Sequence, residues 1–124
     1  MIRPTIAAAA AVLLIAAPVA AKPAAAPAGM EAAFSNTIVS TYPDGRKAKL
    51  WLNRDGTYRG QGRRGGASSG TWKVKGKQVC LKQSKPFPAP MSYCTAIVTG
   101  GVGASWSGKA VSGEKIRIQL VAGR

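Results

Sequence analysis

Residues 47–59 read KAKLWLNRDGTYR, and the direction of the side chains in this stretch decides the fold. Ala48, Leu50 and Leu52 alternate with Lys47, Lys49, Trp51 and Asn53, which is the period of two of a half-buried strand. Arg54-Asp55-Gly56 interrupts the run and Thr57–Gly62 resumes it. A two-residue turn at Asp55-Gly56 would set Leu52 opposite Arg59. A three-residue loop from Arg54 to Gly56, with Gly56 in the left-handed region, sets Leu52 opposite Tyr58 and Trp51 opposite Arg59. Only the second arrangement keeps the apolar side chains on one face.

The same grammar extends in both directions. Upstream, Asn36–Tyr42 reads as a first strand ended by the turn Pro43-Asp44-Gly45, in which Pro presets φ and Gly takes the left-handed position. Downstream, RRGGASS at 63–69 reads as a mobile cationic loop. Gly70–Lys75 follows as a strand with Trp72 and Val74 inward and Lys73 and Lys75 outward. Gly76-Lys77 suits a type II′ hairpin turn, which sets Val74 opposite Val79 and Trp72 opposite Leu81. Gln78–Gln83 is then a strand with Cys80 on its outer face.

Three prolines, Pro86, Pro88 and Pro90, make 84–91 an extended loop. Ser92–Val98, Ala104–Ser107 and Lys115–Ala122 complete the series, the last alternating Ile116, Ile118 and Leu120 with Lys115, Arg117 and Gln119. The expectation is an all-β fold: a small antiparallel meander of about eight short strands. Such a sheet buries its apolar face by closing into a barrel or by folding into a sandwich.

Asp55-Gly56-Thr57-Tyr58, the Gly-rich gap after it, Gly70-Thr71-Trp72-Lys73-Val74, and Gly76 followed by Val79-Cys80-Leu81 form a pattern. It resembles small secreted alphaproteobacterial proteins of unknown function with a lipocalin-like β-barrel domain, as does the ending Leu120-Val121-Ala122-Gly123-Arg124. The likeness spans roughly 36–124 and is carried by turn and core motifs. It implies a lipocalin-like barrel and an exported protein, and it carries over neither a catalytic residue nor a ligand.

The N-terminal segment reads as an export signal. One charge, Arg3, precedes an Ala/Leu/Ile run that is short for a membrane span, and Val19-Ala20-Ala21 offers small residues at a cleavage site. The expected organisation is therefore a signal peptide over 1–21, a disordered Pro/Ala leader over 22–33 and one β domain over 34–124. The mature chain is expected to be a periplasmic or secreted monomer without a transmembrane segment. In that compartment Cys80 and Cys94, the only cysteines, point to a disulfide; two buried thiols are the alternative.

Composition bears on function. Eighteen Lys and Arg face four Asp and Glu, and there is no histidine. Glu31 falls in the leader, and Asp44, Asp55 and Glu114 fall in turns, where their oxygens accept backbone hydrogen bonds. No spacing pairs two carboxylates, and no histidine can activate a serine. Two thiols fall short of a structural zinc set. The reading is a non-enzymatic protein without metal or cofactor.

The surplus of bases has an arrangement. Lys47, Lys49, Arg59, Lys73 and Lys75 fall on outward strand positions with Trp51 among them, and Arg63 and Arg64 sit on the neighbouring loop. Alternation explains the positions as a solvated face but not their single sign. These residues are the candidate site for an anionic partner, an envelope polymer or a lipid head group; an exported location disfavours nucleic acid. Trp51 stacks on Arg59, serves as a platform for a sugar ring or a base, or is buried under a cover. The alternative function is a lipocalin-like carrier holding a small apolar ligand inside the barrel.

Overall fold

Local hairpins alone cannot say where the two ends of a meander go; that depends on pairings between distant strands. The computed structural model describes residues 30–97 and 100–124. It contains a short helix α1 (Met30–Phe34) and eight strands: β1 (Thr37–Thr41), β2 (Lys47–Leu52), β3 (Thr57–Gln61), β4 (Ala67–Lys75), β5 (Gln78–Lys85), β6 (Tyr93–Ala96), β7 (Ser105–Lys109) and β8 (Lys115–Val121). All pair antiparallel in one sheet of order β6-β5-β4-β3-β2-β1-β8-β7. The first and last strands pair, with Ile38 opposite Leu120. The free edges β6 and β7 meet across a seam, where the Tyr93 hydroxyl donates to the Lys109 carbonyl. The result is a nearly closed up-and-down barrel rather than a sandwich.

The two hairpin registers read from side-chain direction hold. Leu52 faces Tyr58 and Trp51 faces Arg59, with Gly56 at φ +90°. Val74 faces Val79 and Trp72 faces Leu81, with Gly76 at φ +58°. The apolar inner face that results includes the buried Ile38, Leu52, Tyr58, Val79, Leu81, Ile116, Ile118 and Leu120. Cys80 and Cys94 form a disulfide between directly opposed residues of β5 and β6.

Two expectations need correction. The first concerns 63–69, which is not one mobile loop. The Gly62 amide donates to the Gly66 carbonyl (2.8 Å) and Gly65 to Gly62 (2.9 Å), so the loop is a tight turn, and β4 already starts at Ala67. The small residues Ala67 to Gly70 supply little side-chain signal for a strand, and pairing with β3 overrides their propensity.

The second concerns the leader, whose last residues belong to the domain. Met30 and Ala33 are fully buried and Phe34 nearly so; the Phe34 ring lies 5.7 Å from that of Trp72. Helix α1 thus closes the barrel end formed by the β2–β3 loop and the chain terminus. Arg54 reaches over Phe34 at 4.9 Å and pairs with Glu31 at 2.5 Å. Arg124 donates to the carbonyls of Phe34 and Leu52 and, at 2.8 Å, to Asn53 Oδ1. The expected signal peptide and the first part of the leader, 22–29, lie outside the described residues. No helix among the described residues is long and apolar enough to cross a membrane.

Candidate functional site

The outer wall brings part of the expected basic face together. Trp51 on β2 faces Arg59 on β3, Arg59 faces Ser69 on β4, and Ser69 faces Lys85 on β5. The four residues form one transverse row across four strands. Lys85 is in that row because the β4–β5 register shifts between Ser69 and Gly70, leaving one extra residue, Ser84, on β5. Unbroken pairing from Val74–Val79 would have put Ser84 opposite Ser69. A reading that ended β5 at Gln83 therefore had no means of finding Lys85.

Trp51 is half-buried, and its position is held from both sides. Its Nε1 donates to Thr37 Oγ1 at 2.9 Å, and that hydroxyl donates in turn to the Gly123 carbonyl at 2.6 Å. The Arg59 guanidinium carbon lies 5.8 Å from the indole centroid, within cation–π range. Next to the pair is a shallow open cavity of about 490 Å3 lined by Trp51, Arg59, Gln61, Ser69, Lys85 and Pro86, among others. A second hollow, between Trp51, Asn53, Arg59 and Arg124, lies against the same indole. The lining thus offers an aromatic surface, cations and hydroxyls, and no carboxylate. Of the readings of Trp51, the stack on Arg59 is present, and the indole also lines the open wall.

The other expected residues lie elsewhere. Lys49 is next to Trp51's row, opposite Gln61. Lys73 is four residues along β4 from Ser69, or ~13 Å at the rise of a strand. It faces Cys80, and Lys75 faces Gln78, so with Lys82 opposite Thr71 they form a separate strip beside the disulfide. Lys47 stands at the start of β2 and Arg64 at the tip of the 62–66 turn, both exposed.

Arg63 is committed to internal partners. Its guanidinium donates to both Glu114 oxygens (2.9 and 3.2 Å), lies 3.7 Å from Asp44 and covers the Tyr42 ring at 4.3 Å. It joins three loops at the barrel mouth and is not free for a partner. All four acids are engaged in this way: Glu31 with Arg54, Asp44 and Glu114 with Arg63, and Asp55 with the Thr57 amide and hydroxyl. No group of three or more metal-ligating side chains occurs among the described residues.

The Arg63 hydrogen bonds, helped by Ser112, hold the Glu114 carboxyl below its ordinary pKa. A carboxyl lowered on folding contributes stability that is present above its unfolded pKa and is lost as pH falls through the folded value. Arg63→Gln should therefore lower the melting temperature at neutral pH, and the gap to the parent should narrow on acidification through and below the usual carboxylate range. Thermal melts from neutral to about pH 2 read this directly. A gap of constant size would show that Arg63 acts through packing on Tyr42 alone.

The barrel interior offers a second space. At the mouth, opposite α1, a cavity of about 360 Å3 is lined by Tyr42, Leu50, Tyr58, Leu81, Tyr93 and smaller side chains, with Met91 and Val111 at its lip. It persists because inward positions here are small: Ala48, Gly60 and Ser68 stand where the α1 end has Leu52, Leu120 and Met30. Burial pushes the Tyr58 and Tyr93 phenols up in pKa. Comparison with family models, with curated proteins and with solved structures finds no match to the chain.

Proposed function

We propose that this chain is an exported, non-enzymatic binding protein whose outer wall holds an acidic envelope polysaccharide on the Trp51–Arg59–Ser69–Lys85 row. The observation that carries the reading is the fixed indole face beside two cations, with no acid in the lining. A sugar ring stacks on an indole through its C–H face. Its carboxylate, sulfate or phosphate is matched by Arg59 and Lys85 on either side of the Ser69 hydroxyl. The cavity is shallow and open along the wall, which suits a segment of polymer better than an enclosed small molecule.

Export is supported by the N-terminal signal pattern and by the disulfide, since such bonds persist in oxidising compartments. The non-enzymatic part rests on a sequence without histidine and on carboxylates engaged in turns and ion pairs.

Titration with heparin and with polygalacturonate, both lipid-free, tests the reading. Affinity should fall steeply between about 50 and about 500 mM salt as screening shortens. Trp51→Ala should weaken binding about tenfold by removing the stacking surface, and Arg59→Gln with Lys85→Gln should weaken it further and flatten the salt dependence. Lys73→Gln with Lys75→Gln, on the other strip, should change it little. Equal losses from the two strips would replace the row by a diffuse positive field.

The mouth cavity favours a second reading, a carrier of a small apolar ligand among Tyr42, Tyr58 and Tyr93. The two separate on salt, because uptake of a neutral apolar ligand does not depend on ionic strength.

A further inference from the structure

The three most exposed large apolar side chains among the described residues are Val111 (83%), Met91 (79%) and Phe87 (65%). All three lie on two loops at the barrel mouth, Phe87 and Met91 between β5 and β6, Val111 between β7 and β8. Met91 and Val111 form the lip of the same cavity. The Tyr93 hydroxyl, bonded to the Lys109 carbonyl, ties the bases of the two loops together.

Isolated exposed hydrophobes are ordinary on any surface; clustering of the most exposed ones at one end is not. The loop that bears Phe87 is also braced. Pro86, Pro88 and Pro90 stiffen it, the Ala89 amide donates to the Gln83 carbonyl (3.1 Å), and Gln83 Nε2 donates to the Phe87 carbonyl (3.0 Å). Presenting Phe87 to a partner therefore costs little ordering entropy.

Exposed charge at this end is predominantly positive. Arg46, Lys47, Arg64, Lys109 and Lys115 are all exposed on the strand ends and turns around the mouth. The acids at this end, Asp44 and Glu114, both face Arg63. Projecting apolar tips within a collar of long cationic side chains match the boundary of an anionic bilayer, where acyl chains lie beneath negatively charged head groups.

We infer that the mouth of the barrel docks on the surface of an anionic phospholipid bilayer, with Phe87, Met91 and Val111 entering the head-group boundary and the surrounding Lys and Arg contacting the lipid head groups. This does not rest on the polysaccharide reading, whose row lies on the outer wall.

Flotation with vesicles of phosphatidylcholine containing about 30% phosphatidylglycerol, against phosphatidylcholine alone, tests it. The parent chain should float with the anionic vesicles and not with the neutral ones. Phe87→Ser, Met91→Ser and Val111→Ser together should lower the partition at least about tenfold and leave heparin affinity unchanged. Phe87→Trp should add a blue-shifted, lipid-quenchable emission on anionic vesicles. Unchanged partition of the triple variant, or no partition of the parent, overturns the inference. Loss of heparin binding in Trp51→Ala with vesicle partition intact counts for it, because the two surfaces are then separate.

Discussion

The chain carrying Cys80→Ala and Cys94→Ala is expected to be about 3 kcal/mol less stable than the parent, the chain-entropy value for a loop of this length. At about 4–8 °C per kcal/mol for a domain of this size, the melting temperature falls by roughly 12–24 °C. The reason lies in the weakest part of the barrel. Strand β6 is only Tyr93–Ala96, it pairs along its length with β5 alone, and its other edge meets β7 across the seam. A Pro-rich loop separates it from β5, so without the covalent link β6 must find its register at the full entropic cost of closing that loop. The bond joins Cys80 and Cys94, opposite each other across a sequence separation of 14, so it pins the register at the centre of the pair. Thermal melts of the double variant and of the reduced parent should agree. Amide exchange should accelerate first in β6, while β1 to β3 keep their protection. A fall of only a few degrees would mean that β6 and the seam are held by side-chain packing instead, chiefly by Tyr93.

The strands and hairpin registers were legible because two local signals agree at each hairpin. Alternation says which side chains share a face, and a glycine at positive φ says how many residues the turn contains; Leu52 opposite Tyr58 and Val74 opposite Val79 follow from both together. Barrel closure was not legible, because it depends on Ile38 finding Leu120 and β6 meeting β7, pairings without a local signature. Helix α1 was hidden by composition, since MEAAF continues an Ala-rich stretch and only its burial against Trp72 separates it from the leader. The candidate site was half legible for similar reasons. Trp51 and Arg59 share a hairpin. Lys85 joins them through a register shift two strands away, and Arg63 leaves the set because Glu114, distant in sequence, lies beside it in the fold. The acids read as turn residues do cap turns, as Asp55 does with Thr57; that Asp44 and Glu114 also engage Arg63 is a property of the assembled barrel.

The register shift behind Lys85 makes Gly70→Ala the most damaging small substitution expected in this chain. A Cβ built on Gly70 would stand 1.9 Å from the Lys82 carbonyl oxygen, 2.9 Å from its carbon and 2.9 Å from Tyr58 Cε1. The first two atoms are backbone, so no rotamer change relieves the clash. Tyr58 is itself buried, so its ring cannot swing clear into solvent. Strand β5 must then move off β4 where Gly70 faces Gln83, and the expected loss is at least about 3 kcal/mol, the upper end for overpacking. Gly66→Ala is the matched control. It lies in the adjacent turn, a Cβ there meets nothing within 4 Å, and its effect should stay within about 0.5 kcal/mol. Denaturant titration of both variants measures the difference. The same displacement reaches the outer wall, because Lys85 faces Ser69 only while β5 holds its extra residue at this point. A Gly70→Ala chain that still folds should therefore bind heparin like Lys85→Gln, with its cation out of the row. If it folds with parental stability and affinity, then β5 can shift without cost, and the close approach at Gly70 does not position the site.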